Sequence, residues 1–275
     1  MNIVLQTDFS NTWGGVASMK GIIKSVNDSL DIIDLTHDID KFNVFEASLS
    51  LHRVIPYWPS QTIFISVVDP GVGSERLPLA CLTNSGKYIF SPDNGSLTHM
   101  KKHIAQSRII DWKYGLRNEG SVFDGRDLFA NAAALLADEQ ITFEELGKEY
   151  PVEYLSECEE YSIRPFLELH KASGFIMTGN RHFGGIELNI KNKDFDNCDF
   201  DFGDQVHIVI KNNECILFDE EVKYHKAFSF VSKGKAILYP GSSGFLSLDI
   251  NQGHFMNTYN VSAGKDYQVI ISKKL

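Results

Sequence analysis

The chain has 275 residues, 43% hydrophobic and 23% charged, the balance of a folded globular protein with more length than a single domain usually takes. Its net charge of −10 argues against a nucleic-acid backbone as partner, because that affinity comes mainly from clustered Lys and Arg, and a small-molecule ligand fits better. No apolar run approaches a membrane span and the first residues carry no basic leader, so no membrane partner is expected and cytoplasmic residence is the default.

In chain order, residues 2–6 read as a strand running into Thr7-Asp8-Phe9-Ser10, and Val16, Met19, Ile22, Ile23 and Val26 then fall at helical spacing. Residues 31–35 form a second strand, followed by Thr36-His37-Asp38 and a helix near 44–54. His37, at a turn, is expected to be a hydrogen-bonded structural histidine. The β-branched run 62–66 is a third strand that ends at Asp69-Pro70-Gly71-Val72-Gly73, and Arg76 follows. Gly71 and Gly73 are expected to fold this loop tightly enough to return the guanidinium towards Asp69. Open α/β sheets bind ligands beyond the carboxyl ends of their strands, which makes Asp8 and Asp69 candidates for chemistry. A hairpin over 79–91 leads into Pro92-Asp93-Asn94-Gly95, a further strand is predicted at 108–112, and Phe123-Asp124-Gly125-Arg126-Asp127 opens an alanine-rich helix.

The pattern changes past Pro165 to short alternating runs at 174–178, 185–190, 205–210, 214–218, 235–239, 245–250 and 267–272, the signature of a small antiparallel barrel or sandwich. The expected fold is an α/β N-terminal domain with a mostly parallel sheet over residues 1–150, a linker at 151–165, and an all-β C-terminal barrel domain over 166–275. Cys81, Cys158, Cys198 and Cys215 form no CxxC pair, and the acidic run from Asp194 to Asp204 lacks the spacing of a calcium loop. With no GxGxxG after the first strand and no Walker lysine either, no cofactor and no metal are expected.

Thr7-Asp8-Phe9, Asp34-Leu35-Thr36-His37, residues 67–76, Pro92-Asp93-Asn94-Gly95, residues 123–129 and Ser242-Ser243-Gly244-Phe245-Leu246 occur in the order seen in one family. Over nearly its whole length the chain resembles the S-adenosyl-L-methionine hydroxide adenosyltransferases, the S-adenosylmethionine hydrolases related to fluorinases and chlorinases. The resemblance implies a homotrimer with active sites at subunit interfaces, and an enzyme that sets water or hydroxide against ribose C5′, giving adenosine and methionine. It implies catalytic roles for Asp69 and Arg76, two members of an Asp-Arg-His set, with Asp124 standing where the family has His. Asp8 matches the acceptor of the ribose hydroxyls. Phe42, Phe123 and Phe183 match apolar positions around adenine, and Ser242, Ser243 and Asn251 a turn near the methionine end. The chain departs from the family at Trp13, where a second Asp is common, and at Gly15, usually polar or Tyr. Arg181 and Gly185 replace the Asp and Asn of a barrel motif, Ser247 a Glu and His254 an Asn. The alternative to a divergent hydrolase is a homologue that binds adenosine without turning over. Use of a halide is disfavoured, because halogenating relatives lack the Asp and Arg present here.

Overall fold

A computed structural model describes residues 1–116 and 122–273, which divide into two compact units, Met1–Ser162 and Ile163–Leu275. The first is built on a six-stranded sheet of β1 (Asn2–Thr7), β2 (Asp31–Thr36), β3 (Ile63–Val67), β4 (Pro78–Thr83), β5 (Tyr88–Pro92) and β6 (Ile104–Ile109), in the order β2-β1-β3-β5-β4-β6. Strands β2, β1, β3 and β5 pair in parallel, while β4 runs antiparallel to both its neighbours.

Both faces of the sheet are buried, and the two-residue period of the strands sorts their side chains between them. Ile3, Leu5, Ile63, Ile65, Val67, Ala80 and Phe90 pack with the apolar stripe of α1 (Gly15–Val26) and with α3 (Asn131–Ala137). Val4, Phe64, Leu79, Cys81 and Ile89 point the other way, onto Leu51 of α2 (Val44–Val54). This two-sided burial explains why the strands read as near-continuous apolar runs.

Strand β6 begins and ends earlier than the predicted 108–112. Its register against β4 pairs Leu79 with Ile109, and the apolar residues after it run into a 3₁₀ turn, Trp112–Tyr114, whose first amides are capped by Asp111. The alanine-rich helix also differs from expectation, opening with a π-helical turn, Gly125–Ala130, before the α-helical part. Residues 151–162 pack on the first unit: Leu155 is buried beside Val4 and Phe64, and the Cys158 N–H and thiol bond to Thr98 Oγ1 and the Gly95 carbonyl at 2.8 and 3.1 Å.

The second unit is a closed seven-stranded barrel, with β7 (Phe166–Glu168) added alongside β8 (Lys171–Gly179). The remaining strands are β9 (Ile186–Lys191), β10 (Gln205–Asn212), β11 (Cys215–Tyr224), β12 (Ala236–Pro240), β13 (Phe245–Ile250) and β14 (Gly264–Lys273). The ring runs β14-β10-β11-β12-β13-β9-β8 and closes through β8–β14 pairing. Closure leaves no free edge in the ring and fills its interior with alternate residues such as Ile186, Leu188, Val206, Ile208, Leu246 and Leu248. The barrel is not wholly antiparallel, since β11 and β12 are parallel and the connection over 225–235 crosses between them. Helix α4 (Asn192–Phe195) follows β9, and α5 (Phe255–Tyr259) is capped by His254 Nδ1, which accepts from the Asn257 N–H at 3.2 Å.

Gly185 has a steric role in this barrel: a Cβ there would overlap the carboxylate of Asp249, which is buried and accepts from the Tyr239 hydroxyl at 3.0 Å. Gly185→Ala is therefore expected to destabilise the chain by about 1–3 kcal/mol, the usual cost of overpacking. Adding Asp249→Ser should recover part of the loss in a urea melt. Equal stability of wild type and Gly185→Ala would contradict this packing.

Candidate active site

The loops that leave β1, β2 and β3 at their carboxyl ends lie together with the turn that opens the π-helical segment. Beyond β3, the loop over 68–77 is held at both ends by the Pro92-Asp93-Asn94-Gly95 turn. Asn94 donates to the Val68 carbonyl at 3.0 Å, and the Asp93 N–H to the Leu77 carbonyl at 2.8 Å. Inside the loop, Ser74 N–H donates to the Gly71 carbonyl, and Ser74 Oγ accepts from the Arg76 N–H. Gly73 alone takes a left-handed conformation, with φ +79°, whereas Gly71 lies close against Ser74 and Arg76. The two glycines thus serve the tight loop differently: one reversal at Gly73 suffices, and Gly71 serves by lacking a side chain.

This loop returns Arg76 to Asp69. Arg76 Nε donates to both carboxylate oxygens at 3.1 and 2.9 Å, and Nη2 to Oδ2 at 2.5 Å. The same Nη2 donates to Oδ2 of Asp124, so one guanidinium bridges two carboxylates. All three side chains are buried, Asp124 to 2% exposure, and the guanidinium lies 5.8 Å from the Phe129 ring centroid. Burial opposes the charge on Arg76, yet its bonds and Coulombic contacts with Asp69 and Asp124 outweigh this and hold it firmly protonated.

Asp124 titrates above the usual carboxylate range. Burial raises it most, the Asp69 and Asp127 charges add to that, and Arg76 offsets only part. Its second oxygen, Oδ1, is buried and accepts no hydrogen bond within the protein. Such an oxygen, next to a fixed cation, can take a proton from a bound water. The raised value has a sign for stability as well. The folded state holds the Asp124 proton to higher pH than the unfolded chain does, whose value is about 3.9. The Asp124 contribution to stability therefore declines as pH rises from there through the folded value. Asp124→Asn should flatten that part of a urea-midpoint profile against pH; an unchanged profile would contradict the shift.

Asp127 is buried and takes Nε and Nη2 of the neighbouring Arg126 at 2.6 and 2.8 Å. The Arg126 guanidinium lies 4.8 Å from the centroid of Phe123, which packs on Phe9 at 5.6 Å and on Trp13 at 5.5 Å. Asp8 Oδ2 accepts from the Phe42 N–H at 2.9 Å, with Phe42 in a left-handed conformation at φ +67° and 66% exposed. His37 is buried, with Nδ1 2.9 Å from Thr7 Oγ1 and Nε2 3.1 Å from Asp34, as expected of a structural histidine.

The other sequence candidates belong to the second unit. Phe183 is 70% exposed on a turn whose amides are held by Asn180. Ser243 donates to Glu187 at 2.8 Å, Ser242 is exposed, and the Asn251 side chain donates to the Val231 carbonyl. Sequence reasoning gave no role to Phe9 and Phe129, although both lie within quoted motifs, and did not single out Asp249, Tyr239 and Glu187. Among the described residues no group of three or more His, Cys, Asp or Glu side chains is placed to hold a metal ion.

Comparison with known proteins fits this geometry. The model of the SAM hydroxide adenosyltransferase N-terminal domain matches residues 3–147, and that of the C-terminal domain residues 181–268. The chain belongs to the SAM hydroxide adenosyltransferase family. Among family members, the (R)-S-adenosyl-L-methionine hydrolase of Methanocaldococcus jannaschii is 30% identical over 98% of this chain and 95% of its own. The hydrolase of the same name from Thermus thermophilus is 25% identical over 93% and 94%, and a fluorinase from Nocardia brasiliensis 22% over 97% and 96%. A crystal structure of an uncharacterized conserved protein from Thermotoga maritima superposes with a TM-score of 0.85 at 30% identity, covering 99% of this chain and all of that one. Within this family fold, the guanidinium of the present chain is shared between two carboxylates.

Proposed function

We propose that the chain hydrolyses S-adenosyl-L-methionine to adenosine and L-methionine. The observation that carries this reading is the buried Asp69–Arg76–Asp124 bridge with the Asp124 Oδ1 oxygen left without a hydrogen-bond partner in the protein. A water held there donates one proton to Asp124 as its oxygen attacks C5′ of the ribose. The C5′–sulfur bond breaks, and its electron pair stays on sulfur, turning the sulfonium into the neutral thioether of methionine. The leaving group needs no general acid, so the protein has to orient and deprotonate water away from bulk solvent. Asp69 fixes the Arg76 fork, and Arg76 fixes Asp124.

Asp8 accepts the ribose hydroxyls in this scheme. Phe42, Phe123 and Phe183 supply apolar surface for the base, and Ser242, Ser243 and Asn251 contact the amino-acid end. The curated hydrolases similar over nearly the whole chain support the substrate. Assembly as a homotrimer is part of the same proposal, supported by the exposed rings of Phe42 and Phe183, and light scattering should give three times the chain mass. Residence in the cytoplasm is part of the same proposal. Separately, no helix of the described residues is long and apolar enough to cross a membrane.

Incubation of the purified chain with S-adenosyl-L-methionine should release adenosine and methionine in equal amounts by chromatography. Asp69→Ala should abolish the release. Adenosine formation no faster than in that variant, with tight binding of adenosine, would replace this reading by that of a non-catalytic nucleoside-binding protein.

A further inference from the structure

Two departures from the family pattern, Trp13 and Gly15, are one feature in space. A Cβ on residue 15 would fall inside the Trp13 indole, against Cζ2, Cε2 and Cη2. The indole thus occupies the room that any side chain at 15 would need. Its Nε1–H donates to the Phe9 carbonyl at 2.8 Å, and its ring packs on Phe9 at 6.0 Å and on Phe123 at 5.5 Å. Held on these sides, Trp13 nevertheless remains 60% exposed, unusual for the largest apolar side chain. Phe123, the ring it leans on, directly precedes Asp124.

We propose that Trp13 is a specificity-determining residue, its fixed open indole face receiving the cationic sulfonium arm of the substrate in a place that Gly15 keeps clear. The inference rests on the hydrolase reading, which puts C5′ beside Asp124. The sulfonium is one bond from C5′, and Trp13 reaches the residue next to Asp124 through its 5.5 Å contact with Phe123, so its indole is placed to meet the cation while the Phe123 ring keeps its place beside the purine. The negative face of an indole attracts a cation more strongly than those of Phe and Tyr do. The attraction is to the charge. A ring that merely walled the pocket would favour a neutral thioether of the same shape equally.

The test compares binding of S-adenosyl-L-methionine with that of S-adenosyl-L-homocysteine, the neutral thioether that keeps the amino-acid arm and lacks only the sulfur-bound methyl, by calorimetry in an Asp124→Asn background that slows turnover. Trp13→Leu should weaken S-adenosyl-L-methionine about 5- to 30-fold, the factor corresponding to about 1–2 kcal/mol of cation–π attraction, and leave S-adenosyl-L-homocysteine unchanged. Trp13→Phe should retain part of the preference. Gly15→Ala, which evicts the indole without touching Trp13 itself, should reproduce the selectivity loss, with circular dichroism confirming an intact fold. Equal weakening of both ligands in Trp13→Leu, or no change in either, would overturn the proposal. Affinities are read without turnover, so a wild-type chain that prefers the sulfonium but forms no adenosine would sink the hydrolase reading and leave the role of Trp13 standing.

Discussion

Asp124→Asn is expected to lower kcat about 10²- to 10⁴-fold, the range that a positioned general base contributes. Asparagine keeps the size of the side chain and its oxygen can still accept from Arg76, but it cannot take the proton from water. The sign of the pH dependence follows from the raised carboxyl. Wild-type activity should rise with pH through a limb displaced above the usual carboxylate value of about 3.9, because only ionised Asp124 is a base. The limb should vanish in Asp124→Asn. Asp124→His should restore activity with the limb moved towards the imidazole value of about 6.5. Full activity in Asp124→Asn, or a wild-type profile flat across the acidic range, would remove Asp124 from the proton transfer.

Arg76→Met should be costly to both fold and activity. The guanidinium stands between two buried carboxylates, and removing it leaves them facing one another with no cation to offset them. Breaking a buried ion pair from one side costs about 3–5 kcal/mol, and the loss here should lie in that range. It should be largest where both carboxylates are ionised and shrink at low pH as they take up protons. Adenosine formation should fall at least about 10²-fold, since the group that fixes Asp124 is gone. Arg76→Lys should recover stability better than activity, because an ammonium supplies charge without the planar fork that reaches both carboxylates. Urea melts at neutral and acidic pH, beside single-turnover assays, measure the two effects separately. Wild-type stability in Arg76→Met at neutral pH would show that the bridge is absent in solution.

Much of this was legible in the chain itself, because the relevant signals are local. Strands buried on both faces show as apolar runs, and the carboxylates that follow them sit at the binding end of a parallel sheet whatever the details. Asp69 and Arg76 are seven residues apart on a loop with two glycines, so a return of the guanidinium could be expected from the sequence, although the spacing alone does not force it. Alternation in the second half gave most barrel strands to within three residues, although β11 runs to Tyr224, six past its expected end, and the short β7 was not foreseen. It could not give the parallel β11–β12 step, since that depends on where the connection over 225–235 crosses.

Where contact depends on shape, the sequence was silent. Trp13 and Gly15 read as two separate losses from the family pattern, and only the position of the indole reveals them as one rearrangement. Gly185 likewise read as a lost polar group, although the carboxylate of Asp249, distant in sequence, fills the space it vacates. The early end of β6 was hidden because Ile109 and Ile110 are equally apolar, and the Asp111 cap decides which of them ends the strand. The π-helical turn after Asp124 has no signature in the residue pattern, yet it places Arg126 over the ring of Phe123, where Asp127 holds its guanidinium.

A crystal structure of the chain with adenosine bound tests the central claim most directly, because the 5′-hydroxyl oxygen of that product is the former water oxygen. The account predicts this oxygen within about 2.6–3.2 Å of Asp124 Oδ1, with the ribose diol on Asp8. Adenosine bound with its 5′-hydroxyl turned away from Asp124 and Arg76, or bound at a different place, would contradict it.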